Sequence, residues 1–212
     1  MNIVVLGLPG AGKGTQADRI SDEYGIPHVS MGDILRNNKD YETGSGETVG
    51  EIIDGGDPVE VETLQALLSK RLEKPDAADG FVLDGFPRTG EQAAAMDDIA
   101  AIDAILVLNV PEEEIYERLT QRRVCPDCGA QYHLEYDPPA EDEVCDDCSA
   151  DLVQREDDTR EAIQERIRWQ REGLEEIRDY YADRGIIIDI DGDQSIDAVW
   201  RDVQQVVDRY DD

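Results

Sequence analysis

The sequence predicts an α/β fold: a five-stranded parallel sheet with helices on both faces and two small mobile insertions standing on it. Three observations lead there. Five short apolar runs rich in branched residues occur at 2–6, 27–30, 80–83, 104–110 and 185–190, and strands buried on both faces read this way. Between the runs, apolar residues recur three and four apart, as on helices. Two stretches break the alternation. Residues 31–59 carry Gly44, Gly46, Gly50, Gly55 and Gly56 with weak helical patterning, and residues 122–158 hold all four cysteines with Pro126, Pro138 and Pro139. Stretches so long are not expected as mere loops. The expected organisation is a core of 1–30, 60–121 and 159–212, with insertions at 31–59 and 122–158.

Each element has a local reason. The run 2–6 enters Gly7-Leu8-Pro9-Gly10-Ala11-Gly12-Lys13-Gly14-Thr15, a glycine-rich turn, and then a helix whose stripe is Ala17, Ile20 and Tyr24, stopped by Gly25. Val61, Leu64, Leu68 and Leu72 form a second stripe, closed by Pro75. Thr89-Gly90-Glu91-Gln92 reads as a capping box opening a third helix. Pro111 is expected at a first helical position, with Glu112, Glu113 and Glu114 favourable in the first turn. Ile196, Val199, Val203, Val207 and Tyr210 make the last stripe.

Composition narrows the partners. Of 212 residues, 51 are Asp or Glu and 20 are Lys or Arg, a net charge of −31. The acids are spread through periodic apolar segments, so the chain reads as folded rather than as an acidic tail. Few lysines (Lys13, Lys39, Lys70 and Lys74), many acids and two phenylalanines read as adaptation to high salt. The charge argues against a nucleic-acid or anionic-membrane partner. No apolar run is long enough to span a bilayer. The first residues already read as a strand, so no targeting segment is expected, and the expected setting is the cytoplasm.

The glycine-rich turn is chemically the most specific feature. Strand, loop, lysine and helix in that order make a phosphate cradle, in which backbone N–H groups face the anion and Lys13 reaches the outer phosphates. The strict motif has Ser or Thr directly after the lysine. Here Gly14 occupies that place and Thr15 follows, so the usual magnesium-binding hydroxyl is missing. Asp84 ends an apolar strand near the cradle and could hold magnesium through water, or simply finish the strand. Arg88 could grip a phosphate bidentately.

Gly7-Leu8-Pro9-Gly10 with Gly14-Thr15-Gln16 resembles the nucleoside monophosphate kinases, adenylate kinases in particular, and the likeness runs along nearly the whole chain. Ser30-Met31-Gly32-Asp33-Ile34-Leu35-Arg36 is similar to that family's monophosphate segment. Asp84-Gly85-Phe86-Pro87-Arg88-Thr89 followed by Gln92 is similar to its acceptor motif. Arg122-Arg123-Val124-Cys125 resembles the opening of the family's long lid, and Arg155-Glu156-Asp157-Asp158 its close. The resemblance implies the P-loop kinase strand order, closure of both insertions over nucleotides, and magnesium-dependent transfer of the terminal phosphoryl group of ATP to AMP, giving two ADP.

It also implies residue roles. ATP would lie along Gly10, Ala11, Gly12, Lys13, Gly14 and Thr15, with Arg118, Arg122 and the backbone at Gln194. AMP would meet Met31, Arg36, Asp57, Pro58, Val59, Gly85, Phe86, Pro87, Arg88 and Gln92. Arg155 and Arg166 would reach the transferred group and the acceptor, and Arg123 is left as structural. Gln92 carries two readings, base recognition and helix capping. Met31 departs from the family's threonine, which puts the strictness of base choice in question. A monomer is expected. Another monophosphate kinase acting on UMP or CMP is the enzyme alternative; a nucleotide-binding regulatory protein is the non-enzyme one.

Cys125-x-x-Cys128 and Cys145-x-x-Cys148 suit tetrahedral zinc, and a full sulfur set leaves no open position, so the metal would be structural. Two disulfides or four free thiols are the alternatives, the first disfavoured in a reducing compartment. From Val124 to Gln154 there is no Lys or Arg, which speaks against a zinc ribbon for nucleic acid. His133 reads as a packing residue of the lid.

Overall fold

The computed structural model describes residues 1–155 and 158–211. Glu156 and Asp157 of the lid-closing motif lie outside the described residues. The elements in order are β1 (Asn2–Gly7), α1 (Lys13–Tyr24), β2 (His28–Ser30), α2 (Met31–Arg36), α3 (Val49–Gly55), α4 (Val61–Leu72), β3 (Phe81–Asp84), α5 (Gly90–Asp97), β4 (Ala104–Asn109), α6 (Glu112–Thr120), β5 (Arg122–Val124), β6 (Gln131–His133), α7 (Arg160–Tyr181), β7 (Ile187–Asp191) and α8 (Ile196–Val207). Five strands form one sheet in the order β2-β3-β1-β4-β7, and every pairing in it is parallel. β5 and β6 pair antiparallel in the lid.

The alternation of β1 builds two cores. Val4 and Leu6 face a cluster with Leu64, Leu68, Phe86, Met96 and Tyr181. Ile3 and Val5 face another with Ala17, Ile20, Val199 and Val203. Burial of both faces is why the strand reads as an unbroken apolar run. β3 and β4 flank β1, with Val5 opposite Asp84 and Gly7 opposite Leu108. The carboxyl ends of the central strands therefore open together, where ligands bind in such sheets.

The five predicted strands are present, with ends shifted by one or two residues. Pro111 is the cap rather than the first helical residue, and α6 begins at Glu112. Within 31–59, α2 and α3 are helical. Thr48 and Glu51 close a reciprocal capping box at α3, a local signal that offsets the shortness of its apolar stripe. Met31, Ile34 and Val49 pack into the first core cluster. In the lid, Cys125, Cys145 and Leu152 form a small cluster of their own. Among the described residues no helix is long and apolar enough to cross a membrane.

Candidate active site

The phosphate loop is shaped before any ligand arrives. Gly12 caps α1 with φ 86°, in the left-handed region that favours glycine, and a side chain there would project into open space. Lys13, the first residue of α1, folds back. Its Nζ donates to Gly7 O at 3.0 Å and Leu8 O at 2.9 Å, carbonyls of the loop it would leave to meet a phosphate. Burial pulls its pKa from 10.5 to about 8, against the raising effect of Asp84; Arg88, Arg166 and Arg122 lower it further. The charges of three arginines from distant parts of the chain are thus felt at one lysine.

Asp84 stands opposite, at the end of β3. A Cβ at Gly14 would lie 3.7 Å from Asp84 Oδ2, so the carboxylate borders the place where the strict loop motif carries its hydroxyl. Asp84 Oδ1 is buried without a hydrogen-bond partner among the described residues. An orphaned carboxylate oxygen beside a phosphate cradle fits a hydrated divalent cation. His28 is a further neighbour that the sequence did not signal: its Nε2 lies 4.0 Å from Asp84 Oδ2 and its Nδ1 2.7 Å from Asp18. Burial lowers the His28 pKa, but hydrogen bonding and charge from Asp18 outweigh it, and the net shift is upward.

In the segment after β3, Arg88 Nε donates to Gly85 O at 2.9 Å and Arg88 N donates to Gln92 Oε1 at 2.8 Å. Desolvation holds the Arg88 guanidinium below its usual pKa, offset by Asp84, and the charge of Arg155 also reaches it. Thr89 Oγ1 accepts from Gln92 N at 3.2 Å. Gln92 therefore caps the turn with its oxygen, which leaves its NH2 group as the part suited to a base. The geometry shows the capping reading of this residue. Met31 is buried at the start of α2, against Gly85. Phe86 and Pro87 are buried behind Arg88, and Val59 packs against the first core cluster. Asp57 and Pro58 lie exposed between α3 and α4. Arg36 is paired with Asp33 at 2.6 Å.

Around the cradle, Ala11 is buried, and Gly10 packs near Leu119 of α6. Thr15 is exposed in the first turn of α1. Arg118 Nε meets Glu114 at 3.0 Å and its Nη2 donates to Gly192 O at 3.2 Å. Gln194 donates to Asp191 O at 3.0 Å and Asp202 at 2.9 Å, so its side chain holds the loop. Arg123 donates to Thr120 O and Arg122 O, a structural use. Asp158 was not singled out by the sequence as a partner. It is fully buried, takes two hydrogen bonds from Arg122 at 3.0 and 2.6 Å, and lies 3.4 Å from Arg166. One carboxylate thus aims two arginines.

The four cysteine sulfurs lie within 4.8 Å of one another and all are free. Two matching turns bring them together: Gly129 N donates to Cys125 O at 3.1 Å, and Ser149 N to Cys145 O at 2.8 Å. The Tyr132 hydroxyl and the N–H groups of Cys148 and Asp147 pull the Cys145 thiol down to about 6. Cys128 goes the other way: its donor from Ala130 is outweighed by the neighbouring sulfurs. A cation would relieve that mutual repulsion, so the donor set fits zinc. His133 stacks on Tyr136 at 4.6 Å, and its Nδ1 accepts from Glu135 N and Tyr136 N, a turn-packing role away from the sulfurs.

Comparison with known proteins agrees with this geometry. A family model described as adenylate kinase matches residues 5–186. An adenylate kinase of Archaeoglobus fulgidus is 45% identical over 214 residues, 99% of each chain. One of Oceanobacillus iheyensis is 40% identical, covering 99% of this chain and 100% of that one. One of Kosmotoga olearia is 45% identical, covering 96% and 97%. With a phosphate cradle, converging arginines and full-length likeness of this degree, the chain belongs to the adenylate kinase family.

Proposed function

We propose that this chain moves the terminal phosphoryl group of magnesium-bound ATP onto AMP, releasing two ADP. The observation that carries the reading is the glycine loop with Lys13 folded onto it and Asp84 bordering Gly14, beside Arg122 and Arg166 held on one buried carboxylate. A phosphate oxygen of AMP attacks the γ-phosphorus. The bond to that oxygen forms as the bond to the β-phosphate oxygen breaks, and both products carry the charge away. The nucleophile is already an oxyanion, so no general base is required, and positioning with charge neutralisation does the chemistry. Lys13 and the loop N–H groups cradle ATP. Arg88 and Arg36 hold the AMP phosphate, and Arg122, Arg155 and Arg166 gather charge on the transferred group. Magnesium, where bound, supplies neutralisation of the ATP phosphates, and Asp84 is the residue to hold it through water. Closure of 31–59 and 122–158 excludes water that would otherwise take the phosphoryl group.

The acceptor assignment is tested with a panel of monophosphates and Mg-ATP in molar KCl. AMP should be preferred. Met31 offers no hydroxyl to the base, so discrimination against UMP and CMP should be looser than in a Met31→Thr variant. Equal or better kcat/KM with UMP or CMP would overturn the choice of AMP, and no transfer to any monophosphate would leave only nucleotide binding.

Cys125, Cys128, Cys145 and Cys148 hold one structural zinc in the lid. Protein purified without added metal should contain about one equivalent, and chelation should lower the melting temperature, because metal binding here is folding free energy. Less than about a tenth of an equivalent, with four titratable thiols, would remove the site. The protein acts as a monomer in a salt-rich cytoplasm and uses neither nucleic acid nor membrane, a reading supported by its acidity.

A further inference from the structure

Helix α7 carries more than Arg166. Seven residues further along the same helix, Gly173 is buried against the backbone of Arg88. A Cβ built on Gly173 would fall inside the van der Waals envelope of the Arg88 carbonyl oxygen, 3.0 Å from its carbonyl carbon and 3.8 Å from Thr89 Cα. Both surfaces are backbone, so neither has a flexible end that could swing away. One turn on, Glu176 accepts a hydrogen bond from Gly90 N at 2.9 Å, and its Cβ lies 3.3 Å from the Cβ position of Gly90. The two contacts bracket Arg88-Thr89-Gly90, the segment that ends the acceptor motif and starts α5.

A glycine in the middle of a 22-residue helix is unfavourable relative to alanine. Its presence is explained by the close approach it allows, at which Cα–H···O contact replaces side-chain packing. From this we infer that Gly173 and Glu176 are positioning residues for the AMP grip. They clamp the Arg88 segment onto α7 and fix the Arg88 guanidinium relative to Arg166 on the same helix. The inference rests on Arg88 being the acceptor-phosphate arginine, and it goes further in assigning acceptor affinity to a helix face that touches no nucleotide.

The test is calorimetric titration of AMP alone, in molar KCl, together with KM for each substrate. Gly173→Ala should weaken AMP binding about 10-fold or more, since sub-ångström to ångström misplacement of a grip costs that much. The KM for ATP should stay within about 2-fold, and kcat should fall less than the acceptor KM rises. Glu176→Ala, an exposed change that leaves the helix intact, should weaken AMP by a smaller factor with ATP again unmoved. If Gly173 were merely tolerated, alanine would raise the melting temperature and leave AMP binding unchanged; that result overturns the inference, as does equal weakening of ATP and AMP. Should Gly173→Ala fail to fold, Glu176→Ala decides alone, and normal AMP binding in it rejects the clamp. Arg88→Ala separates the two claims. Normal AMP binding in that variant removes the acceptor-site reading itself, whereas a defective Arg88→Ala beside a normal Gly173→Ala removes only the clamp.

Discussion

Lys13→Met and Arg88→Ala should each lower turnover by about two orders of magnitude or more, with the fold intact. Lys13 is partly buried and Arg88 exposed; closure over bound nucleotides would screen both from water, a setting in which charge-assisted contacts to a transferring phosphoryl group are strongest. Lys13 has little to contribute to the empty fold. Among the described residues its Nζ is bonded to the carbonyls of Gly7 and Leu8 alone, and burial has drawn its pKa to about 8. The unfolded lysine, with its pKa near 10.5, holds its proton over the interval in which the folded one loses it. Stability of the empty protein therefore gains from this group as pH rises from about 8 to about 10.5. Binding of ATP has the opposite sign. Phosphate prefers the ammonium, so affinity should fall as pH rises through 8, and Lys13→Met should flatten that dependence. Steady-state kinetics and a thermal melt of each variant, with ATP titrations from about pH 7 to 9.5, are the measurements. Turnover near that of the parent protein in Arg88→Ala would remove the assigned acceptor grip.

Stability and activity should both rise from dilute buffer toward molar KCl, with the melting temperature gaining about 10 °C or more, which is about 3 kcal/mol for a chain of this size. Two effects compete. ATP is an anion, so salt weakens its attraction to Lys13 and the arginines. Against that stands the excess of acids, 51 against 20 basic residues, so most surface carboxylates have no cation to face. Many of the cations present are already matched, as in Arg19 with Asp197, Arg71 with Asp76, and Arg184 with Asp97. At about 0.01 M salt the screening length is about 30 Å, long enough for carboxylates across the whole surface to repel one another; at about 1 M it is about 3 Å. The cradle is recessed and screened less than the surface, so salt relieves the fold more than it weakens the site. Screening also lowers the barrier that a negative protein raises against an incoming nucleotide. A melt and an ATP–AMP assay from about 0.05 to 3 M KCl decide the matter. Highest values of both at the dilute end would reject the salt-adapted reading of the composition.

The sheet was legible because its strands are buried on both faces, which writes burial as unbroken runs such as Ile3 to Leu6. The phosphate loop was legible because its glycines and lysine are needed at fixed spacing. Other features left no such trace. α7 is the longest helix, yet its buried face of Ile163, Ile167, Gly173, Ile177 and Tyr181 has a glycine in the middle, which interrupts the stripe. α3 is held by Thr48 and Glu51 more than by periodicity. Asp158 is one acid among 51 in the sequence; only the fold shows that it is sealed between Arg122 and Arg166. The approach of His28 to Asp84 is likewise a product of the pairing of β2 with β3, which no local pattern encodes.

The position of β1 at the middle of the sheet has a consequence for vectorial synthesis. β1 begins at Asn2, but its two neighbours begin at Phe81 and Ala104. At about 5–20 residues per second, the ribosome needs about 4–16 s to deliver the first of them. For that interval the nascent strand has unpaired backbone on both edges and apolar side chains on both faces. The acids of α1 and of the segment after it emerge within the same interval. Charged side chains beside an open strand edge work against its pairing with a neighbouring nascent chain until β3 arrives.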